Sequence, residues 1–129
     1  MFWPFKRKEI KIVNKDQLIS TLTCIVELLR DNGFTAQANA VKKPLQYLYA
    51  DDHNNFKKYL LTVDIWGGSG AAWEVYGFDS KESEKEFEIQ FIKLAELMAQ
   101  TGIKSSKAKS IANYFKSEIK RKSESSTYC

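Results

Sequence analysis

A glycine-rich segment, residues 66–75, is the part of this chain whose residue types come closest to a ligand-binding motif. It contains three of the six glycines and two of the three tryptophans. Closely spaced glycines expose backbone N–H groups that can bind a phosphate, and Ser69 could cap a short helix with the same effect. The known templates nevertheless fail. The segment lacks the Gly-Lys-Ser/Thr ending of a Walker loop and the Gly-x-Gly-x-x-Gly spacing of a dinucleotide site, and Ala71 replaces the last glycine of Gly-x-Ser-x-Gly. We therefore interpret the segment as a structural turn in which Gly67 and Gly68 end a helix with positive φ.

The residues that could support hydrolysis or metal binding do not form a recognisable constellation. His53 is the only histidine, so a Ser-His-Asp triad would have to use it, and it lies in a polar stretch without an evident nucleophile. Asp51 and Asp52 precede it, but adjacent side chains point in different directions, and no second ligand group follows at a metal-binding spacing. The sequence therefore predicts no catalytic residue, no metal site and no cofactor, and it indicates a helix cap at the two aspartates.

Hydrophobic residues recur at three- and four-residue spacing through most of the chain. This pattern predicts a mainly α fold, a compact bundle of about five helices with the glycine-rich turn after the third. The length of 129 residues fits one domain. We expect that domain over residues 1–122 and a disordered polar tail over 123–129.

Capping residues and helix breakers set the expected boundaries. Asn14 is expected to cap a first helix over about 15–31, with Val13 and Leu18 in hydrophobic contact. Pro44 is expected to kink or restart the second helix, because proline removes a backbone donor and clashes with the preceding turn. The third helix is expected to follow a loop and N-cap at Asp51-Asp52-His53, and the fourth to begin at the capping box Asp79-Ser80-Lys81-Glu82. Ser105 or Ser106 is expected to cap the fifth.

The third and fourth helices carry two further expectations. The third is expected to run directly into Trp66. Its inward-facing residues are expected to be Phe56, Tyr59, Leu60 and Val63. In the fourth, Glu84, Glu86 and Glu88 lie near the positive end of the helix dipole, which favours a solvated acidic face over paired-carboxylate chemistry.

Residues 73–78 are aromatic and β-branched, and two structures suit them. One is a short strand that would pair with residues 8–13 in a minor two-stranded β element, and the other is a helical turn capped by Gly77. Glu74 is either a contact on a partner-binding face or a side chain satisfied by nearby backbone N–H groups. If the flanking tryptophans are buried, the segment is a core staple; if both are exposed, it is a binding face.

Basic residues concentrate at the two ends of the chain, whose net charge is +4. Residues 1–15 contain five bases and one acid, and residues 102–122 contain seven bases and one acid. Lysines on the outer side of the last predicted helix could contact a nucleic acid or another polyanion, with residues 6–8 as an added arm. These lysines are Lys109, Lys116 and Lys120. No aromatic residue interleaves with them, so a solvated face is the commoner explanation.

The first residues of the chain and its two cysteines indicate the cellular compartment of the protein. Five residues, Met-Phe-Trp-Pro-Phe, precede the first charges, which reverses the order of a secretory signal and is too short to span a bilayer. Cys24 lies within a predicted helix and Cys129 ends the chain, so no disulfide is expected. These features predict a cytoplasmic protein without membrane insertion.

A Leu-Leu pair before a glycine turn, and a Gly-Gly-x-Gly-Ala run before an acidic-aliphatic pair, are the most patterned parts of the chain. Here they are Leu28-Leu29 with Gly33, and Gly67-Gly68-Ser69-Gly70-Ala71 with Glu74-Val75. Over about residues 18–78 the chain resembles a loosely defined group of small, uncharacterised bacterial helical proteins. Proteins of this kind are similar in size and style to the immunity proteins that accompany secreted bacterial toxins. The resemblance implies a binding role.

These observations predict a non-enzymatic protein-binding module, with an immunity protein that occludes a cognate toxin as the preferred hypothesis. Trp66, Trp73 and Tyr76 are the predicted aromatic anchors, since such residues dominate protein interfaces. The predicted acidic contacts are Glu74, Asp51 and Asp52. The alternative is an accessory protein that binds nucleic acid or another polyanion through the basic ends.

Overall fold

The computed structural model describes residues 12–126, with side chains through residue 123. It contains five helices of eight or more residues and one helix of four. They are α1 (Lys15–Asp31), α2 (Thr35–Tyr49), α3 (His53–Leu60), α4 (Val63–Trp66), α5 (Lys81–Gln100) and α6 (Ser106–Ser126). No β-strand occurs in this described range. The predicted mainly α bundle is therefore confirmed.

One hydrophobic core joins the helices. α1 packs against α2 and α5, α2 packs against α3, and α5 packs against α6, while the short α4 contacts both α2 and α6. The largest core side chains, each fully buried, include Leu18, Leu22, Ile25, Leu29, Phe56, Phe87, Phe91 and Met98. Burial of each such side chain contributes about 1.5–3 kcal/mol. No helix of the described range is both long and apolar enough to cross a bilayer.

Three of the predicted helix starts are confirmed by capping hydrogen bonds. Asp52 accepts from the backbone N–H of Asn55 at 3.2 Å. Ser80 and Ser105 cap α5 and α6 in the same way, each accepting from the N–H three residues on. These short polar side chains satisfy N–H groups that the first turn of a helix leaves unpaired.

The start of α1 differs from the prediction. Asn14 precedes the helix but makes no side-chain cap. Its Nδ2 instead donates to the Leu97 carbonyl and to Gln100 Oε1, both at 3.2 Å, which ties the start of α1 to the end of α5. Val13 is exposed, so the predicted contact with Leu18 is wrong; Ile12 packs against the core instead.

Pro44 does not restart the second helix. α2 runs from Thr35 to Tyr49 with Pro44 inside it and buried. Proline removes one hydrogen bond of the helix, but Val41, Leu45 and Leu48 are buried on both sides of it, and their burial holds the helix together.

The predicted third helix is two helices. α3 ends at Leu60, the Thr62 hydroxyl donates to the Tyr59 carbonyl at 3.0 Å, and α4 begins at Val63. This break rotates Val63 outward, so that 77% of its surface is exposed and its predicted inward position is wrong. At the other end of the chain α6 continues to Ser126, so that residues 123–126, which the sequence places in a disordered tail, are helical.

Candidate partner-binding cleft

Trp66 belongs to the core and not to a binding surface. Only 3% of its surface is exposed, and its ring meets Phe91 edge-on with the centroids 5.4 Å apart. Its indole Nε1 donates to the Leu60 carbonyl at 2.7 Å. That carbonyl belongs to the last residue of α3, where carbonyls lack helical partners. The prediction of Trp66 as a partner anchor is therefore corrected: the side chain caps α3 from within the core.

The glycine-rich turn is shaped differently from the prediction. Positive φ occurs at Gly70 and Gly77, at 88° and 87°, and not at Gly67 or Gly68. Gly67 ends α4 with φ −76°, and its carbonyl accepts a 2.5 Å hydrogen bond from Trp73 Nε1. The indole N–H of each tryptophan in the segment thus donates to the carbonyl six residues earlier, at the end of a helix. These two hydrogen bonds give the turn a structural role.

Residues 73–78 form neither the predicted strand nor a helical turn. Residues 8–11 lie outside the described residues, so the pairing of 8–13 with 73–78 is not described. The segment crosses the bundle surface between two fixed ends. Trp73 lies edge-on to Phe115 at 6.1 Å, and Phe78 lies 4.9 Å from Phe87. Between these contacts Tyr76 is 78% exposed.

A cleft of about 250 Å³ opens between residues 73–78 and the helices α5 and α6. Its aromatic side is formed by Trp73, Tyr76 and Tyr114, and the Trp73 and Tyr114 rings meet edge-on at 6.1 Å. Its charged side chains are Glu74, Glu84, Glu88, Glu118 and Lys122. We call this site the aromatic-acidic cleft. It combines flat aromatic surface with four carboxylates and one ammonium group.

Glu88 is the most unusual group in the aromatic-acidic cleft. Only 6% of its surface is exposed, so the predicted solvated face is wrong at this position. Lys122 Nζ donates to Glu88 Oε2 at 3.0 Å and to Glu84 Oε1 at 2.8 Å. Glu88 Oε1 is buried and has no hydrogen-bond partner among the described residues. The residue is buried because the end of α6 packs over the start of α5, a contact between residues 34 positions apart.

The pKa values of Glu88 and Lys122 are shifted by their burial and by the hydrogen bonds between them. Burial raises the pKa of Glu88, and the hydrogen bond and charge of Lys122 oppose the shift without cancelling it. Burial alone would lower the pKa of Lys122, but its hydrogen bonds to Glu84 and Glu88 raise it. Even with this ion pair, the ionised carboxylate of Glu88 is therefore less favourable in the folded chain than in the unfolded chain.

Replacing Glu88 by glutamine tests this electrostatic balance through pH. A carboxyl whose pKa is raised by folding binds more protons when folded, so the stability it contributes is present below its unfolded pKa and is lost as pH rises through its folded pKa. We expect Glu88→Gln to gain stability relative to the native chain as pH rises from 4 to 7. Urea denaturation at several pH values measures this gain. Glu96→Gln, at an exposed carboxylate of the same helix, is the control. If the stability difference between Glu88→Gln and the native chain did not change with pH, the raised pKa of Glu88 would be contradicted.

Asp51 and Asp52 lie apart from the aromatic-acidic cleft, since neither lines it. Asp51 Oδ1 lies 2.6 Å from Lys15 Nζ and 3.7 Å from His53 Nε2, and the hydrogen bond from Lys15 lowers the pKa of Asp51. Asp52 caps α3, as predicted. Only Trp73, Glu74 and Tyr76 of the predicted partner contacts meet at one site.

Lys109, Lys116 and Lys120 are all exposed on α6. The first two line a groove of about 520 Å³ between α5 and α6, where Lys116 Nζ lies 4.0 Å from Glu96 Oε2, and Lys120 lies outside this groove. The three lysines do not line one groove, and nothing in their positions contradicts polyanion binding. The polyanion hypothesis therefore stays a prediction.

Sequence reasoning missed most of the charged half of the aromatic-acidic cleft. The four-residue spacing from Glu84 to Glu88, and from Glu118 to Lys122, shows that each pair shares one face of its helix. No pattern in the sequence indicates that these two faces meet, because that depends on how α6 crosses α5.

Comparison with known proteins adds no further assignment. No protein-family model, curated protein or solved structure matches the chain. Among residues 12–126, no group of three or more histidine, cysteine, aspartate or glutamate side chains could hold a metal ion.

Proposed function

We propose that this chain is a non-enzymatic protein-binding module of the immunity type, which neutralises a cognate bacterial toxin by occluding it. The observation that carries the proposal is Tyr76, a large aromatic residue with 78% of its surface exposed beside a cleft. Tyrosine and tryptophan are the residues most often found to carry the binding energy of protein interfaces.

The surface around Tyr76 is held in place before any partner arrives. Trp73 is fixed at one end of the segment by its hydrogen bond to the Gly67 carbonyl, and Phe78 is fixed at the other by Phe34 and Phe87. A preorganised surface loses little conformational entropy on binding, so more of the contact energy remains as affinity.

The charge around Tyr76 supports a basic partner surface. Glu74, Glu84 and Glu118 line the same cleft, and complementary charge accelerates association and selects among partners. The cytoplasm is the proposed compartment, and it agrees with Cys24, which is a free thiol whose pKa is raised by burial.

Co-expression tests the proposal in cells. The product of the gene next to this one is expected to inhibit growth when expressed alone, and this chain is expected to restore growth. In calorimetry with the purified partner, Tyr76→Ala should weaken binding at least tenfold, because truncation of a residue that dominates an interface costs about 2 kcal/mol or more.

A matched control separates the proposed surface from a general effect of losing a tyrosine. Tyr49 is also exposed but does not line the aromatic-acidic cleft, so Tyr49→Ala should leave binding unchanged. Equal losses for the two variants would contradict the choice of surface. A neighbouring gene product that is harmless alone, or that kills despite this chain, would contradict the immunity role.

A further inference from the structure

The strongest unexplained feature of the molecule is the Glu88 carboxylate. It is more than nine-tenths buried and lines the aromatic-acidic cleft, and its Oε1 atom accepts no hydrogen bond from the side chains and backbone that the structure describes. A buried acceptor without a donor costs free energy, and an ionised one costs more. An oxygen of this kind is expected to gain from a ligand that brings a donor.

The charges facing Glu88 favour a cation. Glu74, Glu84 and Glu118 line the cleft with it, and of the lining residues within the described range only Lys122 is basic. Arg121 lies outside the lining and pairs with Glu118 at 2.9 Å, which reduces the contribution of that carboxylate. Glu84 and Glu88 still share a single ammonium group between them.

The aromatic side of the cleft favours a cation on an alkyl stem. Trp73, Tyr76 and Tyr114 present ring surface beside the carboxylates, and such rings attract ammonium groups through their negative faces. The methylenes of a lysine side chain can pack on the same rings while the charged end stays with the carboxylates. This arrangement of rings and carboxylates accommodates both ends of such a side chain.

Lys122 shows which charged group fits. Its Nζ lies between Glu84 Oε1 and Glu88 Oε2, at 2.8 and 3.0 Å, so a primary ammonium already occupies the position between the two carboxylates. The side chain of Lys122 is 39% exposed, so it can leave toward solvent.

We infer that the aromatic-acidic cleft binds a lysine side chain of the partner protein, whose ammonium group displaces that of Lys122 and donates to Glu88, including its unpaired Oε1. Lys122 then acts as an internal competitor that fills the site in the free protein. This inference rests on the proposed protein-binding function and names the chemistry that the site recognises.

Nuclear magnetic resonance with a small probe tests the inference without any partner. The probe is Nα-acetyl-lysine methylamide, and its neutral control is Nα-acetyl-norleucine methylamide, which keeps the alkyl stem and lacks the ammonium group. The indole N–H resonance of Trp73, assigned with Trp73→Phe, reports on the cleft. The indole resonance of Trp66, buried and bonded to Leu60, reports on the fold.

We expect the lysine probe to shift the Trp73 resonance and the norleucine probe to leave it unchanged. Lys122→Met should raise the affinity for the lysine probe at least tenfold, because it removes the internal competitor. Glu88→Gln should lower that affinity at least tenfold, because it removes the charge that pairs with the ammonium. The matched controls are Lys116→Met and Glu96→Gln. These two residues form an ion pair between α5 and α6 that does not line the cleft, so neither variant should change the affinity.

Three results would overturn the inference. The first is equal binding of the two probes, which would show apolar recognition. The second is an unchanged affinity in Lys122→Met, and the third is an unchanged affinity in Glu88→Gln. If Glu88→Gln loses the native Trp66 resonance, Glu84→Gln takes its place, because Glu84 is more exposed and also pairs with Lys122.

The test of the lysine site can fail or succeed independently of the test of the proposed protein-binding function. A partner that binds through Tyr76 while the lysine probe does not bind overturns the lysine site and leaves the protein-binding function standing. A probe that binds, with the expected response of Lys122→Met and Glu88→Gln, supports the lysine site even where co-expression shows no protection.

Discussion

Trp66→Ala is expected to lower the free energy of unfolding by about 3–5 kcal/mol, the usual cost of removing a large aromatic side chain from a core. The indole is 3% exposed and packs edge-on against Phe91, so its removal leaves a cavity where α4, α5 and α6 come together. It also leaves the Leu60 carbonyl without its 2.7 Å hydrogen bond. Urea denaturation followed by circular dichroism measures the loss.

Trp66→Phe separates the two contributions. Phenylalanine keeps most of the apolar contact and lacks the N–H donor, so we expect a smaller loss, about 1–3 kcal/mol, largely from the unsatisfied carbonyl at the end of α3. Tyr49→Ala, at an exposed position, should change stability by no more than about 0.5 kcal/mol. A loss for Trp66→Ala as small as that control would contradict the core assignment and return Trp66 to the set of surface anchors.

The helices were predictable because their signals are local. Leu18, Leu22, Ile25 and Leu29 repeat at helical spacing, and all four are fully buried in α1. Asp52, Ser80 and Ser105 each precede a helix and accept from an N–H three residues on. Such features depend on residues within one or two turns, so sequence patterns reveal them.

The errors occur where a longer-range contact overrides a local signal. Asn14 has the form of a helix cap, but its side chain makes no cap, and its Nδ2 donates to Leu97 and Gln100 at the end of α5. Val63 continues the apolar spacing of α3, but the break after Leu60 turns it outward. In both cases the local pattern is present and a neighbouring part of the fold changes its outcome.

The aromatic-acidic cleft was predictable only in part for the same reason. Trp73, Glu74 and Tyr76 are adjacent in sequence, and their types suggest a binding surface. Glu88 and Lys122 are brought together by the packing of α6 on α5, across 34 residues of chain. Half of the site is therefore a property of one segment, and the other half is a property of the tertiary fold.

Gly67→Ala is expected to destabilise the chain by about 1–3 kcal/mol, the usual cost of forcing an extra methyl group into a packed site. A Cβ at this position would lie 2.5 Å from the Val63 carbonyl oxygen and 3.1 Å from Val63 Cβ. The crowded oxygen is the same one that accepts the Gly67 N–H at 2.8 Å, so the backbone must move to relieve the contact. That movement also displaces the Gly67 carbonyl, which holds Trp73 through its indole N–H.

Gly68→Ala is the matched control, one residue away and chemically identical. A Cβ on Gly68 meets no atom within 4 Å, and Gly68 does not have positive φ. Alanine there restricts mainly the unfolded chain, so we expect a change between zero and a stabilisation of about 1 kcal/mol. Urea denaturation compares the two variants, and the Trp73 indole resonance should move in Gly67→Ala and stay in place in Gly68→Ala. Equal effects would contradict the close approach at Gly67, whereas the expected contrast would show that one glycine fixes the turn that positions the aromatic wall of the cleft.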